Sequence, residues 1–398
     1  MSISWTRITK DGRIYLRGCA KDGHEVAVCA LAPIIGRTHF LMPVRIACSE
    51  IGGHDVFARS IDTHTDGLQA KIRAIDRLAL SDVEFGTKFG AARMIVLTPK
   101  GGAEDDAWRF ARQAIEDLDE YLPLPVVSQI DYDQKRLHKS LGSTLDSIDF
   151  AVRHDPSAIA TTHAFLALLQ SRGLAPGDVT LSVTGVGDLG SRLVSRFLNA
   201  GAREIIISDK NMARLQQIAM LPRVRMAEVD EVGRLPCHAH VLSADKSFTD
   251  DVGKVWAANP SVQVVGGPEA GLDRFTVARR LLASKGKEYI PSVLCGSLGL
   301  VCNLEESLGI RPDLESMSDK YARVIDVLIR RMKEKGKGLA DTCEEILDGT
   351  SALCSAEREY IGGNVSEKYA NLVYGSEATN RKLRTAAAPK KVVGEPGS

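Results

Sequence analysis

Polar and apolar residues alternate over three short stretches near the start of the chain, at residues 13–17, 25–31 and 39–48. Each mixes β-branched or aromatic residues with polar ones and is bounded by Gly, Pro or Asp, the pattern of a half-buried strand. Over residues 66–80 (DGLQAKIRAIDRLAL) the apolar positions move to helical spacing. Residues 94–97 read as a compact strand and 104–118 as a second helix, and the proline-bearing stretch 122–147 reads as a hinge. From Ser157 helix and strand alternate, with buried apolar runs at 179–184, 204–208, 239–243 and 263–266. Alternation of this kind predicts a parallel sheet. Residues 313–348 are helical again, and 385–398 is a Pro/Gly/Lys tail expected to be disordered.

The run at 179–184 leads directly into Gly185-Val186-Gly187-Asp188-Leu189-Gly190, which opens a helix expected at 191–200. Gly185 permits the tight strand-to-helix turn, Gly187 lets the backbone approach a pyrophosphate, and Gly190 lets helix and strand pack closely. The helix start, with Asp188 and Leu189, offers free N–H groups and a positive dipole end to phosphates. A second strand, 204–208, ends in Asp209, where a carboxylate is expected to bond the adenosine ribose. That carboxylate would repel a 2′-phosphate and so favours NAD over NADP, although Lys210 and Arg214 follow and partly offset the repulsion. The run 239–243 is expected as the fourth strand beside the cofactor, which adds Ser243 and Ala244 to the cofactor-binding set.

Composition narrows the classes. With 398 residues, 44% hydrophobic and 26% charged, the chain can bury a core in two domains or three. Lys plus Arg equals Asp plus Glu at 51 each, so no charge surplus argues for nucleic acid. No apolar run approaches the ~20 residues of a membrane span, and the start lacks a signal-peptide core. The eight scattered cysteines fit reduced thiols in the cytoplasm. Cys237, His238 and His240 have metal-ligand chemistry, but successive side chains on a strand face opposite ways, so no metal is expected there. Met317 and Met332 are read as core and interdomain packing.

With the glycine loop in place, the chain resembles the glutamate/leucine/phenylalanine/valine dehydrogenase family, nearest its leucine and phenylalanine branch, over residues 30–308. Residues 160–169 (A-T-T-H-A-F-L-A-L-L) are similar to the family's P-V-T-A-Y-G-V, and 183–190 to its V-Q-G-V-G-N-V-G. Residues 264–272 (V-V-G-G-P-E-A-G-L) resemble I-A-G-S-A-N-N-Q-L, and 289–306 resemble Y-A-P-D-Y-V-I-N-A-G-G-V-I-N-V-A-D-E. The resemblance implies an α/β fold in which an N-terminal substrate and oligomerisation domain (1–150) precedes a Rossmann NAD-binding domain (151–312). C-terminal helices (313–384) would then pack back across the cleft, with the tail at 385–398. It also implies a small-molecule substrate, with no nucleic acid or membrane partner, and a homo-oligomer.

The departures fall on the reaction side. Residues 78–93 (L-A-L-S-D-V-E-F-G-T-K-F-G-A-A-R) are similar to M-T-Y-K-N-A-L-A-G-L-N-L-G-G-G-K, in which the first lysine holds the substrate carboxylate and the second activates water or ammonia. Ser81 and Arg93 stand at those positions. The family's catalytic aspartate falls near Val126, its L-G-G-T-R on residues 41–45, and its nicotinamide-facing groups on Glu269-Ala270-Gly271 and Ser297-Leu298-Gly299. A buried lysine can serve as a base because desolvation lowers its pKa. Arginine stays protonated, so Arg93 can anchor an anion but cannot take a proton.

Lys88 either brings an amine into the cleft or is a solvated lysine on a turn. His163, expected at a helix start, is either an acid/base or a packed histidine, and Asp82 and Glu84 are either part of a rebuilt site or an exposed face. The catalytic candidates are Arg93, Lys88 and Ser81. The expected function is an NAD-dependent oxidoreductase acting on an amino acid, imine or keto acid with an altered site. The alternative is a non-catalytic dinucleotide-binding homologue, a sensor or inactive partner subunit.

Overall fold

The computed structural model describes residues 2–10, 13–31, 39–47, 54–97, 99, 104–122, 126–130, 151–243, 250–268 and 276–347. The expected tail at 385–398, Ala244 and residues 269–271 lie outside them. The first lobe is one sheet of β1 (Ile3–Lys10), β2 (Arg13–Ala20), β3 (Glu25–Leu31), β4 (His39–Ala47), β5 (Phe89–Leu97) and β6 (Val126–Ile130). The spatial order is β1-β2-β3-β5-β4-β6, antiparallel from β1 to β5 and parallel across β5, β4 and β6. Helix α1 (His54–Arg77) covers one face, where Ile61 meets Cys29, Ile95 and Leu97. Helix α2 (Glu104–Tyr121) covers the other, setting Phe110, Ala114 and Leu118 against Val26, Val28, Met94 and Val96.

Two-sided cover explains why β5 is buried at all nine positions and shows no alternation. The apolar pattern reveals only its end, at 94–97. Strand β1 is absent from the pattern-based reading because it is an edge strand paired only with β2 and largely exposed. The stretch 122–147, expected as a hinge, contains β6; Pro123 and Pro125 in front of it mask a five-residue strand.

The second lobe is a parallel sheet of β7 (Thr180–Thr184), β8 (Glu204–Ser208), β9 (Val224–Met226), β10 (Ala239–Leu242), β11 (Val264–Gly266) and β12 (Glu288–Ile290). Its order, β12-β11-β10-β7-β8-β9, is the Rossmann order in which the chain builds outward from β7 first to one side and then to the other. Helix α3 (Ala151–Ser171) leads in, and α4 (Asp188–Asn199), α5 (Met212–Ala219), α6 (Asp250–Ala258) and α7 (Thr276–Ser284) connect the strands. Three helices close the described chain: α8 (Ser292–Ser307), α9 (Leu314–Lys335) and α10 (Leu339–Leu347). The helix expected over 313–348 is therefore two. Gly336, at φ 61° and ψ 29°, ends α9 in the left-handed cap that glycine favours, and Asp313 caps its start by accepting from Glu315 N and Ser316 N. No helix among the described residues is long and apolar enough to cross a membrane.

One hydrophobic core spans both lobes. Leu68, Ile72, Ile75, Phe85 and Phe89 of the first join Phe165, Phe197, Leu294, Leu298, Tyr321 and Leu328 of the second. Helix α8 is buried on all sides over most of its length and mostly apolar there, as a helix must be when packed all round. It lies along α3, where Cys295 O accepts from Thr161 Oγ1, and against α9, where Leu294 O accepts from Tyr321 Oη at 2.8 Å. Leu298→Ala, at a site 1% exposed, is expected to cost about 2–5 kcal/mol of folding stability in urea denaturation.

Candidate functional site

The carboxyl edge of the second sheet gathers the loop residues. Gly185 leaves β7 at φ +86°, and its N–H donates to Ser208 O at 2.8 Å. Helix α4 starts at Asp188, earlier than the expected 191, with Gly187 at its N-cap and no side chain bonding the cap. Among the described residues no side chain takes the first N–H groups of α4, which suits them to a ligand. A Cβ at Gly190 would lie 1.9 Å from Gly185 O, so no other residue lets α4 sit this low on the strand. Above Gly187 the space is open apart from the movable Arg214 guanidinium, 3.5 Å from where a Cβ would be.

Asp209, at the end of β8, lies against this loop. Its Oδ2 accepts from Val186 N at 2.7 Å and its Oδ1 from Asn211 N at 2.8 Å. Each carboxylate oxygen keeps capacity for a further donor such as a ribose hydroxyl. Ser243, just beyond β10, donates its N–H to Thr184 O, while its buried Oγ has no hydrogen-bond partner. That hydroxyl lies 3.3 Å from where a Gly190 Cβ would be. Gly185, Gly187, Asp188, Leu189, Gly190, Asp209 and Ser243 thus lie at the ends of β7, β8 and β10, where the strand order reverses, the place at which open α/β sheets bind ligands. The bare cradle and the orphaned hydroxyl both suit a dinucleotide pyrophosphate.

The reaction-side candidates lie in the first lobe. Arg93 is in the middle of β5 opposite Cys29 and is 7% exposed. By strand alternation it shares a face with Ala91 and Ile95, toward α1. Lys88 follows the single-turn helix Phe85–Thr87 and donates its N–H to Phe85 O at 2.9 Å. Its half-buried amine has a pKa lowered by desolvation. Ser81 turns toward α8: its hydroxyl donates to Glu305 Oε1 at 2.7 Å and accepts from Val83 N. Asp82 pairs with Lys320 of α9 at 2.7 Å, so these two neighbours link the lobes. Burial raises the Glu305 pKa, with Ser81 and Lys320 opposing. The side chains of residues 41–45 and of Val126 lie outside those described.

Solved structures with this architecture include L-tryptophan dehydrogenase from Nostoc punctiforme, 13% identical with a TM-score of 0.57 over 85% of this chain and 96% of that one. Hetero-hexameric glutamate dehydrogenase from Thermus thermophilus is 18% identical, with a TM-score of 0.59 over 88% and 89% of the two chains. Plasmodium falciparum glutamate dehydrogenase is 13% identical, with a TM-score of 0.54 over 97% and 82%. The fold is that of the amino-acid dehydrogenases. No protein-family model matches the chain, and no curated protein matches it by sequence.

On this amino-acid dehydrogenase fold, other polar residues stand out once burial is known. Thr162 Oγ1 on α3 and both amide atoms of Asn303 on α8 are buried without hydrogen-bond partners, and such groups invite a ligand or water. Sequence reading passed over them because a buried polar side chain inside an apolar helix carries no periodic signal. His163 is in the middle of α3 and not at a helix start; its Nε2 lies 3.2 Å from Ser318 Oγ on α9, and burial followed by Arg196 lowers its pKa. Cys237 Sγ lies 3.5 Å from His240 Nε2, whereas His238 turns away and accepts from Thr180 N. His240 also meets Ser182 Oγ and stacks on Trp256. Burial pushes its pKa down to about 3 and the Cys237 thiol up to about 12, so the pair is neutral. Among the described residues no group of three or more His, Cys, Asp or Glu is placed to hold a metal.

Gly190→Ala is expected to abolish dinucleotide binding, since the added methyl must push α4 off β7. Calorimetric titration of the folded variant with NAD measures this; affinity within twofold of the parent chain would show that the cradle is not the binding site.

Proposed function

We propose that this chain is an oxidoreductase that binds NAD and moves a hydride between it and an amino acid, imine or keto acid, as a homo-oligomer in the cytoplasm. The observation that carries the reading is the uncapped start of α4 above a loop only glycine can form, beside the orphaned Ser243 hydroxyl. Its context supports the reading, since structural neighbours are a tryptophan dehydrogenase and glutamate dehydrogenases. The carboxylate of Asp209 favours NAD over NADP by repelling a 2′-phosphate. Arg214 beside Gly187 moderates that preference without reversing it. The leucine and phenylalanine branch remains the nearest resemblance by motif. The scattered spacing of the cysteines fits reduced thiols in the cytoplasm.

A bound nicotinamide supplies the hydride-accepting and hydride-donating carbon. The chain's own residues bind, orient and manage protons. Arg93 keeps its charge and suits an anionic substrate group such as a carboxylate. Lys88, whose pKa is lowered by burial, suits proton transfer at its Nζ. Ser81 holds the segment leading to both residues against α8 through Glu305.

A second reading is a non-catalytic dinucleotide-binding subunit. It is favoured by serine and arginine at the two family lysine positions. One structural neighbour is hetero-hexameric, so unlike subunits occur on this fold.

Calorimetry with NAD and NADP, combined with reduced-nicotinamide absorbance, separates the two readings. The protein is offered amino acids with NAD, then keto acids and ammonia with NADH. Turnover is expected, with Lys88→Ala lowering it by about 10²–10⁴-fold. NAD binding without turnover across the panel favours the non-catalytic subunit, and absence of binding overturns both readings. Arg93→Lys is expected to raise oxidative deamination of amino acids by restoring a group that can lose its proton.

A further inference from the structure

The turn that presents Lys88 is held from α1. The helix ends at Arg77, and the chain returns so that Phe85–Thr87 lies against its last turn. There Asp76 Oδ1 accepts the N–H of Phe85 at 2.7 Å and Oδ2 accepts the N–H of Gly86 at 2.6 Å. One carboxylate thus takes the two leading N–H groups of the turn, one on each oxygen. The fit is close, since a Cβ at Gly86 would lie 2.8 Å from Asp76 Oδ2. Two residues further on, Lys88 N closes the turn on Phe85 O. Phe85 and Phe89 flank it as fully buried rings, with centroids 6.0 Å apart.

Asp76 is badly placed for a purely local role. It sits in the last turn of a helix, where the dipole disfavours a negative charge. Burial pushes its carboxyl up to about 7, with nearby Glu84 adding to the rise. Two backbone hydrogen bonds oppose that shift without cancelling it. A carboxylate kept in such surroundings is explained by what it holds.

We propose that Asp76 is a positioning residue for Lys88, clamping the turn at Phe85 and Gly86 so that the lysine amine stays half-buried at the start of β5. The use of that amine for proton transfer rests on the function proposed above; the clamp itself does not.

Competitive acetylation of the full-length protein across a pH series, read residue by residue by mass spectrometry, tests the clamp. In the parent chain Lys88 is expected to label with a midpoint below that of exposed Lys285. Asp76→Asn keeps the shape but can accept only one of the two N–H bonds. It is expected to move the Lys88 midpoint up toward that of Lys285 and to speed labelling severalfold, with Lys285 unchanged. Gly86→Ala opens the clamp from the other side and is expected to produce the same shift. A folded variant of either kind whose Lys88 profile superimposes on the parent's overturns the proposal. So does unfolding of both variants, because the clamp would then serve the fold and not the lysine. The turnover panel is scored separately. A shifted Lys88 without turnover keeps the clamp and removes the reaction, and turnover with an unshifted Lys88 does the reverse.

Discussion

The second lobe is arranged around the close approach of Gly190 to the carbonyl of Gly185, which leaves no room for a side chain at position 190. Because α4 rests that low on β7, its first turn lies where the strand order reverses, and its N-cap, Gly187, has no side chain to bond its leading N–H groups. Uncapped N–H groups at a helix start are unfavourable unless water or a ligand meets them. Asp209 adds the second half of the constraint. By accepting from Val186 N it pins the loop to the end of β8, so the glycine turn is held at both its strand and its helix side. Loop shape, helix height and carboxylate position therefore follow from a few backbone distances and not from any special side-chain chemistry.

The first lobe depends on the second through α8. A helix buried on all faces has no exposed surface to tolerate a change of neighbours, so whatever packs on it is fixed in relative position. Residues from α1 and from the turn before β5 belong to the same apolar core as α8 and α9. The polar links Ser81–Glu305 and Asp82–Lys320 stand beside that core. Their hydrogen bonds give direction to a contact that apolar packing alone would leave non-directional. The segment 78–93 is thus fixed between the sheet that carries Arg93 and the helices that close the second lobe.

Different parts of this arrangement were legible in the sequence for different physical reasons. Four of the six strands of the second sheet were readable, because parallel strands under two helical layers are short apolar runs separated by turns; the three-residue β9 and β12 were not called. The run at 204–208 coincides with β8. In the first lobe, β5 lost its period of two to burial on both faces, and β1 at the exposed edge gave too weak a pattern. The glycine loop was legible because its requirement is steric and local. Asp76 and the orphaned side chains of Thr162 and Asn303 were not, because their significance lies in partners far along the chain or in partners that are missing. A single sequence records which residues are polar but not which of them are buried.

In the function proposed above, an arginine at position 93, where the family motif has lysine, changes more than one side chain. A lysine in a buried site can shed its proton, so one residue can anchor an anion in one state and act as a base in another. A guanidinium cannot, so Arg93, nearly enclosed between β5 and α1, commits its surroundings to a permanent positive charge. With Arg93 as the proposed anchor, proton transfer falls to a distinct group. Lys88 is proposed for this role, because burial lowers its pKa and so favours its neutral form. Separating anchor from base makes placement of the base the more demanding requirement, since proton transfer depends on sub-ångström geometry in a way that electrostatic anchoring does not. A turn clamped at two backbone N–H groups meets that requirement where a free surface turn would not.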